Sequence, residues 1–396
     1  MVRLQSLSTS LIKISLLILS IFLPFSISGI SISVSLLFLG YVILCVGNRK
    51  IVLPADIGIR RVVYLMLIFI LIMTISLIFS VDKISAVKRT VTVAGYFLVF
   101  INLLVCEDKN FVKKCLEILI FFCILHSVYA IIQFYTGIDI VNKGYQKYSR
   151  VIGIVGHFNS LAGILGLIFV VVASFFYLVK EKRFLNLVRS AVLLYAIILT
   201  FTRGIWLGIL AAFLIIGVFL NRKFAFFVLL FLIVIFLIPQ TKKRVFSTFK
   251  PGDQIARIYF LKETPKLILN RLVLGYGPDS FRKVFYEHYP EFFEKGHFHP
   301  HNMYLHILFE LGVLGFMSFL LLFYEILRQL SKAYNNLSQT YTKALVLGSI
   351  GSVIVFLVYG LVDEPFRAHF APYCLFFLLG VSFRFIEDNY GSDVQK

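Results

Sequence analysis

The chain is written as long apolar runs separated by short polar joints rich in Lys and Arg. A helix rises 1.5 Å per residue, so a hydrocarbon core of about 30 Å needs roughly 20 apolar residues in a row. Runs of this kind lie near 11–28, 30–47, 62–80, 90–105, 115–135, 159–179, 188–202, 205–220, 224–239, 303–327, 344–362 and 368–386. The pattern therefore predicts an all-α polytopic membrane protein with about 12 transmembrane helices. Several runs are only 15–17 residues long, and the seventh to ninth are crowded together. One long stretch, 240–301, breaks the rhythm. In it Ile255, Ile258, Tyr259, Leu261, Leu267 and Ile268 recur at helical spacing over 254–270. Gly275-Tyr276-Gly277-Pro278 then marks a turn, and Pro278 suits the first turn of a short helix reaching about His288. The organisation expected is a first membrane part over 1–239, one large extracytoplasmic loop domain over 240–301, and a last part over 302–396 with three helices and a tail. Neither an internal repeat nor a low-complexity linker is visible.

Composition agrees with that reading. Of 396 residues, 59% are apolar and 15% are charged, against roughly 45–50% and about 25% in ordinary soluble domains. The mean hydropathy is +0.91. These values exclude a soluble enzyme, a disordered chain and a disulfide scaffold. The net charge of +19 would point to nucleic acid in a soluble protein. Here the basic residues occupy the joints between spans, so membrane lipids are the expected partners and no nucleic acid is. With the N-terminus placed in the cytoplasm, 20 Lys and Arg fall on the cytoplasmic side, 8 in the short outer loops and 11 in 240–301. Long segments cross largely regardless of charge. Both termini are thus expected in the cytoplasm and the long loop outside. The basic, then apolar, start over 1–28 could pass for a signal peptide, but a second span follows at once, which favours an uncleaved first helix. Cys45, Cys106, Cys115, Cys123 and Cys374 have no paired spacing and read as small packing residues.

Some residues resist an apolar-packing account. Arg203 sits between apolar runs at an outer membrane boundary, beside Trp206 and close to Gly204 and Gly208. It is either an interfacial anchor or a guanidinium facing a cavity that takes an anion. His297, His299 and His301 precede Asn302 where the loop meets the tenth span. Zinc is conceivable there, but Pro300 interrupts, the spacing is uncommon and no second ligand set is near. One histidine at a helix start, acting as a general base, is the better reading. Arg257 lies on the amphipathic loop helix, where most arginines are merely solvated. Asn159, in Gly156-His157-Phe158-Asn159, is either a helix cap or a binding residue. Asp363-Glu364 is the one adjacent acid pair on the outer side. There is no phosphate-cradling glycine loop and no paired-carboxylate metal motif, so neither a metal nor a cofactor is expected.

Taken in order, these pieces resemble the O-antigen ligase and polymerase superfamily. They are Gly156…Asn159…Leu161-Ala162, Thr202-Arg203-Gly204, Arg257, Leu274-Gly275-Tyr276-Gly277-Pro278, and His301-Asn302-Met303-Tyr304-Leu305 followed by Glu310-Leu311-Gly312. The similarity covers roughly 150–325; residues 1–140 match only as apolar spans. The resemblance implies a GT-C-like membrane fold in the cytoplasmic (inner) membrane. It implies glycan transfer at the periplasmic face, from an undecaprenyl-diphosphate-linked donor to a lipid A core sugar or another acceptor hydroxyl. Transfer would be metal-independent and inverting. It maps the catalytic roles to Arg203, Arg257 and His301, with His299 as rival base; the substrate-binding residues expected are Arg203, Arg257, His299, Asn302 and Asn159. An aromatic Trp usual after the loop arginine is replaced here by Tyr259-Phe260. The alternatives are a polysaccharide polymerase of the same superfamily, a ligase for another acceptor, a lipid-linked glycan transporter, or a membrane scaffold. The enzyme reading requires residues 203, 257 and 301 to converge on one hollow.

Overall fold

A computed structural model describes residues 2–141, 144–145, 150–237, 241–242, 255–290 and 300–393. Among these residues the chain forms fourteen α-helices, two short 3-10 turns and a two-residue antiparallel ladder, Ile138–Asp139 with Gly144–Tyr145. The first five helices are α1 Val2–Phe22, α2 Ile27–Asn48, α3 Ile57–Ser76, α4 Lys83–Val105 and α5 Lys109–Thr136. The next four are α6 Phe158–Leu178, α7 Arg183–Leu199, α8 Arg203–Phe219 and α9 Phe226–Leu237. Then come α10 Ile255–Asn270, α11 Phe281–His288, α12 Met303–Asn336, α13 Thr340–Tyr359 and α14 Phe370–Asp393.

Nine of the described helices are long and apolar enough to cross a bilayer. The other three predicted spans fall on shorter helices, α7 and α8 with 17 residues each and α9 with 12. Other helices outrun their apolar cores. The α4 helix starts at Lys83 because the Asp82 carboxylate caps the backbone N–H of Ser85, which pulls polar residues into its first turn. Ser26, Asp56 and Asp108 cap α2, α3 and α5 in the same way.

The α6, α13 and α14 helices form the interior, with 83%, 78% and 89% of their apolar windows buried, against about a third for α1 to α3. Helices in lipid gain little from apolar transfer alone, so close backbone approach matters. At Gly208 of α8 a Cβ would lie 2.9 Å from the Val355 carbonyl oxygen, and at Gly348 of α13 it would lie 2.6 Å from Val171 Cα of α6. Small residues thus let α8 and α6 press against α13.

The described part of the long loop docks on α12. Phe260, Leu267, Phe281, Phe285 and Phe309 build a small second core there. The α12 helix breaks at Gly312, whose φ is 62° and ψ −167°. The break is filled by the turn after α10: the N–H groups of Tyr276 and Gly277 donate to the carbonyls of Phe309 and Glu310 at 3.1 and 2.8 Å, and Val313 N–H donates to Leu272 at 2.8 Å. Backbone groups freed at membrane depth are therefore satisfied by the loop. Gly275, with φ 66°, meets the Glu310 carbonyl where any side chain would collide. The second loop helix begins at Phe281, three residues later than Pro278 suggested, with Ser280 before it.

Candidate functional site

The site forms at the loop-bearing end of the bundle, where three segments distant in sequence meet the turn after α13. The first is the connector into α6. Its backbone is held by buried polar residues of α5: Gln133 Oε1 accepts from Gly153 N–H at 3.0 Å and His126 Nε2 accepts from Ile154 N–H at 2.9 Å. The second is the sharp 200–202 turn ahead of Arg203. Arg150 from the connector braces it, donating to the Thr200 carbonyl at 2.8 Å and to Thr202 Oγ1 at 3.2 Å. The Arg150 guanidinium also stacks 3.3 Å above the Phe158 ring. The third is the start of α12, tied down where Met303 N–H donates to the Gly360 and Asp363 carbonyls at 2.8 and 3.1 Å.

Asp363 is the hub. Its Oδ2 accepts from Asn159 Nδ2 at 2.6 Å and from the Tyr359 hydroxyl at 2.5 Å. Its Oδ1 accepts from the Glu364 N–H at 2.9 Å and stands 3.6 Å from His301 Nδ1. Burial alone would push its carboxyl up, but the nearby His301 imidazole and the hydrogen bond from Tyr359 outweigh it and hold the group below the usual carboxylate range. Asn159 completes the link to the arginine turn, because Thr202 Oγ1 donates to its Oδ1 at 3.3 Å. Burial lowers the neighbouring His157, with Asp363 opposing and Arg150 assisting.

A hollow of about 310 Å³ opens beside the hub, lined by His157, Asn159, Tyr359, Asp363, Glu364 and Arg367 among others. That size is within the range of small-molecule sites. Neither Arg203 nor His301 is in its wall. Arg203 is half-buried at the first turn of α8, and next to it Gly204 faces Tyr359 and Val362, where a Cβ would lie 2.7 Å from each side chain. His301 is linked to the site through Asp363, with Nδ1 3.6 Å from the carboxylate. Its φ is 50°, an uncommon conformation for a residue with a side chain. Of the four non-glycine residues with positive φ among the described residues, three lie in or near this site, namely Phe201, Asp279 and His301. Strain of this kind tends to gather at functional sites.

Below the hub lies a second histidine arrangement. His306 is buried between two buried carboxylates, with Nε2 2.7 Å from Glu310 and Nδ1 2.8 Å from Glu364. Arg89 and Arg367 line the small void at this clamp. Arg367 also pairs with Asp279 at 2.8 Å. Burial raises the Asp279 carboxyl despite that partner. Adjacent residues of one turn, Asp363 and Glu364, therefore each hold a histidine from the start of α12.

Of the residues singled out in sequence, Asn159, Arg203 and His301 gather around the 359–363 turn. Asn159 is not the cap of α6, since His157 occupies that position. Asn302 caps α12, accepting from Leu305 N–H at 2.9 Å while its Nδ2 donates to the Leu361 carbonyl at 3.0 Å. Arg257 lies on α10, but its side chain is outside the described residues. His297 and His299 lie wholly outside them. Asp363, Arg150 and the His306 clamp were not singled out as site residues. The only hint was the adjacency of Asp363 and Glu364.

Residues 189–320 match the family model described as O-antigen ligase. The match begins within α7 and ends within α12, and so takes in Arg203, Arg257, His301 and the Gly312 break. No curated protein matches the chain.

Proposed function

We propose that this chain, a member of the O-antigen ligase and polymerase superfamily, moves a glycan from a polyprenyl-diphosphate donor to an acceptor hydroxyl at the loop-bearing face. The observation that carries the reading is the Asp363 hub, beside a hollow, which links Asn159, the turn ahead of Arg203 and His301.

The chemistry follows from the residue types. A diphosphate is a good leaving group, and the need is to stabilise charge that grows on it as the glycosidic bond breaks. Guanidinium groups stay protonated and present paired donors that match phosphate oxygens. Arg203 at the membrane boundary takes the lipid-side phosphate, and Arg257 from the loop helix takes the other. Such contacts strengthen in a site shielded from water. The acceptor hydroxyl is a weak nucleophile. His301 accepts its proton through Nε2 as the oxygen attacks the anomeric carbon opposite the diphosphate, giving inversion. Asp363, beside Nδ1, orients the ring and stabilises the charge it gains. His299 is the rival base. The arginines supply the positive charge, so transfer proceeds without a metal ion and survives EDTA. In this reading residues 240–301 are the loop domain that carries Arg257 to the site on the outer face of the inner membrane, with both termini cytoplasmic.

Ligase and polymerase readings share this donor chemistry and differ in acceptor. Deletion of the encoding gene tests both. Finished glycan left on its lipid carrier is the ligase result, and single lipid-linked repeats are the polymerase result. An unchanged glycan profile contradicts the proposal.

A further inference from the structure

A second hollow, of about 420 Å³, opens on the loop-bearing side next to the one beside Asp363. Arg367 belongs to the walls of both. The two are therefore neighbours that share one side chain, and Asp279 holds that side chain at 2.8 Å. The first hollow runs from Arg367 to Asn159 and so towards the turn ahead of Arg203, where the donor diphosphate is placed. Among the described residues, none of that turn is in the wall of the second.

The second hollow is a cleft between two fixed elements. One wall is the start of α4, with Asp82 and Ser85. The other is the face of α11 that carries Arg282, Lys283 and Tyr286. These three share a face by helical spacing, while Phe281, Val284 and Phe285 are buried on the other. The walls are pinned where Gly277, with φ 92°, packs on Ser80 so closely that a Cβ would lie 2.5 Å from the Ser80 Cβ. Arg271 donates to the Phe79 carbonyl at 3.2 Å and ties the same two segments.

The donors and acceptors are mixed. Asp82 accepts from the Ser85 N–H at 3.1 Å and from its hydroxyl at 3.0 Å, so the Ser85 proton is committed and its oxygen remains an acceptor. Asp279 gives Oδ1 to Arg367, and among the described residues no hydrogen bond is made to its Oδ2. Arg282 and Lys283 bring donors to the same space. A bare anion would meet two carboxylates here, and a bare cation would meet three basic groups. An apolar ligand would desolvate them all. A sugar ring suits the set. Each of its hydroxyls both donates and accepts, so carboxylates and basic side chains serve it together. Its C–H face needs a flat apolar surface, and Tyr286, 52% exposed in the wall, supplies an aromatic ring with a polar tip.

We infer that this second hollow binds a sugar ring of the acceptor, with Tyr286 as the stacking platform and Ser85 and Asp279 accepting from its hydroxyls. Sharing Arg367 with the first hollow sets that ring beside the hub. The acceptor role rests on the transfer reading above, whereas sugar binding stands on the chemistry of the hollow itself.

Saturation-transfer NMR on the full-length protein in lipid nanodiscs reads sugar binding directly. The probe is the oligosaccharide pool released by mild acid from the source strain's envelope glycolipids. Wild type should bind it, and Tyr286→Ala should bind it about 10-fold more weakly with an unchanged melting temperature. Tyr286→Phe, which keeps the ring, should stay within about 2-fold of wild type. In transfer assays Tyr286→Ala should raise the acceptor KM about 10-fold and leave kcat and the donor KM within about 2-fold. No saccharide binding by wild type, or a Tyr286→Ala protein that binds like wild type, overturns the sugar site. A rise in the donor KM in place of the acceptor KM overturns the acceptor role. A wild type that binds the saccharide through Tyr286 but transfers no glycan supports the sugar site and contradicts the transfer reading, and the acceptor role with it.

Discussion

The side-chain amide of Asn159 donates to Asp363 at 2.6 Å across 204 positions of sequence. The same carboxylate reaches His301, so a residue at the head of α6 and one at the head of α12 are set by a single group. Replacing Asp363 by Asn keeps the shape but turns one acceptor into a donor facing the Asn159 amide. Transfer in Asp363→Asn should fall about 10²-fold or more, since the base loses its orienting partner. Initial-rate assays on membranes with matched expression check this. Activity within a few-fold of wild type would remove Asp363 from the account.

The depressed carboxyl of Asp363 has a pH signature. A group whose folded pKa is lowered stabilises fully above its unfolded value, about 3.9 for Asp, and loses that contribution as pH falls through the lower folded value. Wild type should therefore melt above Asp363→Asn from neutral pH down to about pH 4, and the gap should close only in stronger acid. Melting curves of both proteins across that range are the check. A gap that widens towards acid contradicts the hub.

Arg203→Lys separates anchoring from phosphate binding. Lysine retains the charge and snorkels to the interface, but it has no planar pair of donors. We expect a loss of about 10²-fold in transfer with little change in melting temperature. An active Arg203→Lys protein would leave Arg203 as an anchor only.

The His306 clamp bears on stability. Removing the imidazole in His306→Ala leaves Glu310 and Glu364 facing each other in a buried void. Loss of one partner from a buried ionic group typically costs about 3–5 kcal/mol. The variant should be recovered poorly and melt far below wild type. His306→Ala with wild-type melting would show that the clamp holds nothing.

The membrane architecture was legible in sequence because lipid demands long apolar runs and closed backbone hydrogen bonding, and both leave a local mark. The short α7, α8 and α9 were harder, since adjacent apolar runs leave helix ends undefined. The candidate site was legible only in part. Arg203 and His301 stood out as costly residues at a boundary and a helix start. Asp363 read as one half of an acid pair, because its importance comes from long-range contacts with residues 159 and 301 that no spacing encodes. Arg150 counted as one more loop charge, yet its guanidinium braces the turn before Arg203. Gly312 belonged to a motif whose purpose, a helix break filled by the 272–277 turn, depends on a partner some 35–40 residues upstream in the chain.

The central claim is that His301 takes the acceptor proton in a metal-independent glycan transfer. The direct measurement is transfer of a labelled, lipid-linked glycan by purified His301→Ala beside wild type, both in EDTA. We predict activity in wild type and a loss of roughly 10²- to 10⁴-fold in the variant, with donor binding kept. A variant that turns over like wild type, or a wild type silenced by EDTA and restored by zinc, would contradict it.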